Sequence, residues 1–216
     1  MMKITKVFVK KNFKWLVAFI CLISFLALAK EVYNKEIMQG DIIGYKIISN
    51  FLLSDSVTKI AKIVTNLGNA IFLISLTLVL FSLIKNKMIG ISIMFNLAII
   101  SGLNILLKDI LQRPRPTEYR LIDETGYSFP SGHSMISMAF YGFLIYLIYK
   151  NIKNKYLKWS LIYLLSIIIF TIGISRIYLG VHYTSDVLAG FLISISYLIV
   201  YINIINYHIK MQKQFK

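Results

Sequence analysis

Three short stretches hold most of the residues in this chain that could do chemistry. The first carries Lys108, Arg113, Pro114, Arg115 and Pro116; the second carries Phe129, Pro130, Ser131, Gly132, His133 and Ser134; the third carries Ser175, Arg176, His182 and Asp186. Lys108, Arg115 and Arg176 supply cations: a guanidinium pairs with phosphate oxygens in bidentate fashion, and an ammonium acts as a point charge. Pro114 and Pro116 force an extended backbone around Arg115 and end the helix that precedes them. Ser131 is a good N-cap for a following helix. The backbone N–H groups near Ser131, Gly132 and His133 would then form an anion site reinforced by the helix dipole. Gly132 would let the backbone approach an oxyanion closely. Together these groups suit a dianion such as a phosphate monoester.

His182 and Asp186 are spaced i, i+4, which on a helix puts them on one face. The carboxylate can accept a hydrogen bond from one ring nitrogen and fix the tautomer, leaving the other nitrogen to attack. His133 is a second imidazole, suited to protonate a leaving oxygen. Two histidines, one aspartate and a cationic cradle are enough for phosphoryl transfer through a phosphohistidine. Catalysis in such a site is mostly positioning and charge stabilisation.

The elements that must hold these residues are membrane helices. The chain has 216 residues, of which 57% are hydrophobic and only 15% charged. An ordinary soluble domain carries roughly 25% charged residues, so a soluble enzyme, a disordered chain and a small disulfide scaffold are disfavoured together. The single Cys21 reads as a packing residue inside an apolar run. Six stretches lack any Asp, Glu, Lys, Arg or His: 15–29, 63–84, 88–107, 134–149, 159–175 and 187–207. A bilayer-crossing helix needs about 20 apolar residues, and lysines flanking the shorter runs can snorkel. The expected fold is therefore all-α, a polytopic membrane protein of six transmembrane helices. Segment 31–62 reads as one or two short amphipathic outer helices between the first two spans, with Val57, Ile60, Val64 and Leu67 on one face. No repeat or linker divides the chain, so residues 1–216 are expected to form a single domain.

Charge sets the expected orientation. With a cytoplasmic N-terminus, the inner side holds fourteen cations (at Lys3, Lys6, Lys10, Lys11, Lys14, Lys85, Lys87, Lys150, Lys153, Lys155, Lys158, Lys210, Lys213 and Lys216) and no carboxylate. The outer side holds the other ten cations and all nine acids. This obeys the positive-inside rule, so both termini are expected in the cytoplasm and the three chemical stretches at the outer face of the cell membrane. The net charge of +15 is then a topology signal plus attraction to anionic lipid headgroups, and nucleic-acid binding is a poor reading of it. A basic start, a 15-residue apolar core and Ala27-Leu28-Ala29 also resemble a cleavable signal peptide, although an uncleaved first helix is the favoured expectation.

Lys108-x6-Arg115-Pro116, then Pro130-Ser131-Gly132-His133, then Ser175-Arg176-x5-His182-x3-Asp186 resemble the three signature motifs of the type-2 phosphatidic acid phosphatase family. The motifs span 108–186, and the six-span layout extends the resemblance over nearly the whole chain. The resemblance implies that His182 is the nucleophile, His133 the general acid and Asp186 the residue that holds His182. It implies phosphate binding by Lys108, Arg115, Ser131, Gly132 and Arg176. It also implies hydrolysis of a lipid phosphate (phosphatidylglycerophosphate, undecaprenyl diphosphate or phosphatidate) with no metal and no cofactor. Two other classes share parts of the pattern: a phosphate-lipid transporter, which should carry its ionisable groups near the bilayer midplane, and a non-catalytic lipid-phosphate binder, which would lack the nucleophile. Oligomeric state is open. Outside the motifs, Asp123 and Glu124 read as a solvated loop. Asn104, one turn before Lys108, either orients that lysine or makes a helix–helix hydrogen bond.

Overall fold

Polar caps mark where the helices of this chain start. In the computed structural model, Ser54 accepts from the Val57 amide at 3.3 Å and opens α3 (Asp55–Asn66). Asn69, Asn86, Ser131 and Asn154 do the same for α4 (Ala70–Leu83), α5 (Lys87–Leu111), α6 (Gly132–Asn151) and α7 (Lys155–Tyr178). Each cap satisfies one of the amides that a helix start leaves without a partner. The remaining helices are α1 (Met2–Tyr33), α2 (Gln39–Leu52) and α8 (Thr184–Gln214). The structure describes the backbone of residues 2–34 and 38–214 and the side chains of 12–34 and 38–208. Lys35 and Glu36, and the side chains of Lys3, Lys6, Lys10, Lys11, Lys210, Lys213 and Lys216, which entered the charge count above, lie outside the described residues. Among the described residues there is no strand.

The chain is a polytopic, all-helical membrane protein. Five helices are long and apolar enough to cross a bilayer, within α1, α5, α6, α7 and α8. The sixth apolar run is not one straight helix. It falls on α3 and α4, which meet at a bend of 49°. Alone, α4 has 14 residues and is about 21 Å long, short of the roughly 30 Å hydrocarbon core. Only together do α3 and α4 reach the length and apolarity of a crossing. The bend has local causes. Asn69 restarts the helix, and the freed Leu67 carbonyl accepts the Tyr141 hydroxyl at 2.7 Å. At Gly68 an added Cβ would lie 2.9 Å from Ile172 Cγ2 and 3.2 Å from His133 Cδ2, so the bend presses directly on α6 and α7.

The core runs along α6, which packs against α5, α7 and α8. Phe140 and Phe143 of α6 meet Leu73 of α4, Ile93 of α5 and Ile172 of α7, all buried. A second cluster joins Phe25, Ala29 and Val32 of α1 to Phe129, Met135, Ala139 and Ala189. Interhelical hydrogen bonds supplement the packing: Asn96 Nδ2 donates to the Ala139 carbonyl at 2.9 Å, and the Ser194 hydroxyl to the Met135 carbonyl at 2.7 Å. Outward-facing residues are strongly apolar, as on α7, where Ile167 is 60% and Phe170 56% exposed. In water such a belt would aggregate, whereas in a bilayer it meets lipid. As expected, segment 31–62 supplies two short helices, α2 and most of α3. They pack onto α7, and α2 also reaches α8.

Candidate active site

Four helix ends meet at one end of the bundle: the C-termini of α5 and α7 and the N-termini of α6 and α8. Helix dipoles favour cations at the former and anions at the latter. Lys108 and Arg176 lie in the last turns of α5 and α7, and Asp186 in the first turn of α8.

After α5 the chain turns at Gln112, which adopts the left-handed conformation (φ 43°). Residues 113–116 then run extended, as their prolines require. Ser128 pins this stretch: its amide donates to the Arg113 carbonyl at 2.8 Å and its hydroxyl to the Pro114 carbonyl at 3.1 Å. The Arg115 guanidinium is buried and fixed by carbonyls of Gly126 (2.9 Å), Thr125 (3.0 Å) and Val181 (3.0 Å). Its Nη1 lies 3.1 Å from His182 Nε2. Lys108 Nζ donates to the Tyr127 carbonyl. Arg176, fully buried, donates through Nη1 to Thr65 Oγ1 at 2.8 Å and through Nη2 to Glu124. Its Nε has no hydrogen-bond partner among the described residues. A buried, unpaired guanidinium N–H is costly, and an oxyanion would satisfy it.

Ser131 caps α6 as expected, accepting from the Ser134 amide at 3.4 Å. Its own amide is not available to an anion, however, because it donates to the Asp186 carbonyl at 3.0 Å. That bond ties the second stretch to the third. The amides of Gly132 and His133, first in the helix, keep no intrahelical acceptor. Gly132 packs closely on α5: an added Cβ would lie 2.9 Å from Asn104 Oδ1 and would have to displace that amide. Of its two readings, Asn104 shows contacts toward α6: its Nδ2 donates to the Pro130 carbonyl, just before that helix, at 3.2 Å and to Met135 Sδ within it at 3.4 Å. His133 sits in the first turn of α6, in electrostatic range of Arg176, Glu124 and His182.

His182 and Asp186 meet, but not as two turns of one helix face. Helix α8 begins at Thr184, so His182 lies in the preceding loop. Asp186 Oδ2 reaches back across the helix start, taking the Tyr183 amide at 2.9 Å and His182 Nδ1 at 3.3 Å. This is half of a capping box, with an acid in the first turn holding the amide at the N-cap. With Nδ1 carrying the proton toward Asp186, Nε2 keeps a lone pair.

The structure thus brings Lys108, Arg115, Ser131, Gly132, His133, Arg176, His182 and Asp186 to one end of the bundle. It adds residues that sequence reasoning missed. Glu124, expected in solvent, is bound to Arg176 and lies 3.8 Å from Arg115. Burial works against its charge, yet Arg176, His133 and Arg115 hold its carboxyl below the usual range. Thr65, at the C-terminal end of α3, orients Arg176. Asp41 and Arg113 form buried ion pairs beside Asp186. Lys108, Arg115 and Arg176 supply three positive charges, and Glu124 offsets one of them. A cavity of about 580 Å³ opens between α2 and the Pro116–Tyr119 loop and reaches His182.

Burial, then the cations Arg115, Arg176 and Lys108, push the His182 imidazole well below its ordinary value of 6.5. His182 is therefore neutral at pH 7. Below pH 6.5 the unfolded chain takes up a proton that the folded one refuses, so stability falls with pH, by up to about 1.4 kcal/mol per pH unit for this group. Melting temperature measured from pH 7.5 to 5 should drop, and less steeply in His182→Gln; equal slopes would contradict the assignment.

The family model of the PAP2 superfamily matches residues 89–210, more than half of the chain and inclusive of all three motif stretches. The chain belongs to the PAP2 superfamily. The chain is similar to phosphatidylglycerophosphatase B of Bacillus subtilis (strain 168), 40% identical over 90 residues, covering 41% of this chain and 44% of the relative. It is also similar to the bacitracin transport permease protein BcrC of Bacillus licheniformis, 41% identical over 81 residues, covering 37% of this chain and 35% of the relative. The chain thus spans less than half the length of the curated relatives it matches. The PAP2 fold extends further: a crystal structure described as the first transmembrane PAP2-type phosphatidylglycerolphosphate phosphatase, from B. subtilis, superposes with a TM-score of 0.78 at 26% identity, covering 87% of this chain and 94% of that one. Aquifex aeolicus LpxE shares the fold, with a TM-score of 0.60 at 24% identity over 74% of this chain and 92% of its own.

Proposed function

We propose that this PAP2 protein is an integral membrane lipid phosphatase, a single domain over 1–216. It releases phosphate from a lipid phosphate monoester or diphosphate such as phosphatidylglycerophosphate, undecaprenyl diphosphate or phosphatidate. One observation carries the reading: a buried, neutral imidazole, oriented by Asp186, sits beside guanidinium groups of which one keeps an unpaired buried N–H. His182 Nε2 attacks phosphorus, His133 protonates the leaving oxygen, and water then hydrolyses the phosphohistidine. Lys108, Arg115, Arg176, the Ser131 hydroxyl and the amides of Gly132 and His133 hold the phosphoryl oxygens. The similarity to phosphatidylglycerophosphatase B supports a phospholipid substrate. The cavity beside α2 gives the headgroup a way in while the tail stays in lipid. The charge distribution supports cytoplasmic termini and a site at the outer face of the cell membrane.

The permease name of one relative favours a transporter as second reading. Against it, the ionisable cluster lies at helix ends, and a transporter's coupling groups belong near the midplane. Phosphate release from a panel of lipid phosphates in detergent, with and without EDTA, decides. The expected result is turnover of at least one lipid, unchanged by chelator. No release from any of them would leave the transporter or a binding role standing, and loss of activity with EDTA would overturn metal-free chemistry.

A further inference from the structure

The proposed mechanism leaves one buried cation without a role. Arg113 precedes Arg115 by two residues in an extended stretch, and an extended chain sends alternate side chains the same way. Both guanidinium groups therefore reach the His182–Asp186 pair, at opposite ends. Arg115 Nη1 lies 3.1 Å from His182 Nε2, and Arg113 Nη1 donates to Asp186 Oδ1 at 2.6 Å. Arg113 also donates to Ser185 Oγ at 2.8 Å and, through Nη2, to Asp41 Oδ2 at 2.7 Å. Its guanidinium lies 4.0 Å over the Tyr183 ring. Asp41, in the first turn of α2, completes the set: its Oδ1 accepts the Ser185 amide at 2.8 Å. All four of Asp41, Arg113, Asp186 and His182 are buried. At the same place α2 approaches α8 so closely that a Cβ on Gly44 would lie 2.2 Å from Thr184 Oγ1.

We infer that Arg113 and Asp41 are positioning residues for His182, acting through Asp186 and tying α2 to the nucleophile. The inference rests on the phosphatase reading. Asp186 Oδ2 takes both the imidazole and the Tyr183 amide, while Oδ1 is bound by Arg113. Anchoring both oxygens fixes the carboxylate plane and with it the ring that Oδ2 holds. The guanidinium also competes with the Nδ1 proton for the carboxylate's charge, which keeps that proton on the ring while Nε2 carries the phosphoryl group. A protonated imidazole is the better leaving group when water attacks. Asp41 and Ser185 in turn hold Arg113 in place. The described hydrogen bonds of the Arg113 side chain go to Asp186, Ser185 and Asp41, none of them proposed to hold phosphate, so its loss should fall on turnover rather than on substrate binding.

The test uses full-length protein and the lipid phosphate that the wild type hydrolyses fastest. Arg113→Gln should lower kcat by roughly 30-fold or more with KM within about threefold, and Arg113→Lys should recover about tenfold of that loss. Asp41→Asn keeps the shape and one carbonyl acceptor, and should lower kcat by about tenfold at constant KM. Wild-type kcat in Arg113→Gln, or a raised KM with kcat unchanged, overturns the inference. If Arg113→Gln does not purify as folded protein, Asp41→Asn decides alone, and a kcat within about twofold of wild type is then the overturning result. An inactive wild type sinks the phosphatase reading itself, and an active His182→Ala sinks the role of His182 as nucleophile and the positioning role with it. A live wild type with a dead His182→Ala and unaffected Arg113 and Asp41 variants sinks only the positioning role.

Discussion

His182→Ala should reduce phosphate release by roughly 10⁴-fold or more while leaving the protein folded. Among the described residues no carboxylate hydrogen-bonds the His133 ring, whereas His182 is held at Nδ1 by Asp186 and faces Arg115 through Nε2. The structural cost is modest because Asp186 retains Arg113 and the Tyr183 amide as partners. Loss of one buried hydrogen bond costs about 1–3 kcal/mol, which for a chain of this size lowers the melting temperature by less than roughly 10 °C. Steady-state phosphate release and a thermal melt in the same detergent check both halves. A variant that stays folded and turns over at the wild-type rate would end the phosphohistidine mechanism.

Arg176→Lys should show the next largest effect, lowering kcat/KM by about 10²-fold, and Arg176→Ala by about 10³-fold. Lysine restores the charge but not the planar fork. In the native chain that fork is divided among Thr65, Glu124 and an unpaired Nε, so each direction has a separate use. The two variants together separate charge from geometry. If lysine restores full activity, Arg176 serves as a point charge and the unpaired Nε has no part in holding the phosphoryl group. Inhibition by orthovanadate, a tetrahedral anion of similar shape, should weaken in parallel, since it needs the same donors.

Much of this site is legible in the sequence because its chemistry is local. The prolines fix residues 113–116 as extended, Ser131 caps a helix, and the spacing of His182 and Asp186 brings them together. The charge-free runs also mark the five helices that are long and apolar enough to cross a bilayer. The parts that were not legible depend on distant contacts. Asp41 and Asp186 are far apart in the sequence, and nothing in the pattern of α2 shows that its first turn docks on α8. Glu124 looks like any loop acid until folding places it between two guanidinium groups. The α3–α4 bend is different, because its signal was present. Gly68 followed by Asn69, a residue that starts helices, interrupts the run at 63–84, but a scan for charge alone passes over them. The His182–Asp186 contact shows the reverse case, a correct pairing expected from the wrong local geometry. A helix start allows residues four apart to meet just as a helix face does.

Glu124 has a consequence for the proposed catalytic cycle. Its carboxylate pairs with Arg176 and lies 3.8 Å from Arg115, the guanidinium groups proposed above to hold phosphoryl oxygens. Substrate arrival and phosphate departure are then swaps of one anion for another. The guanidinium groups keep a countercharge at every stage, and two buried cations never have to stand bare.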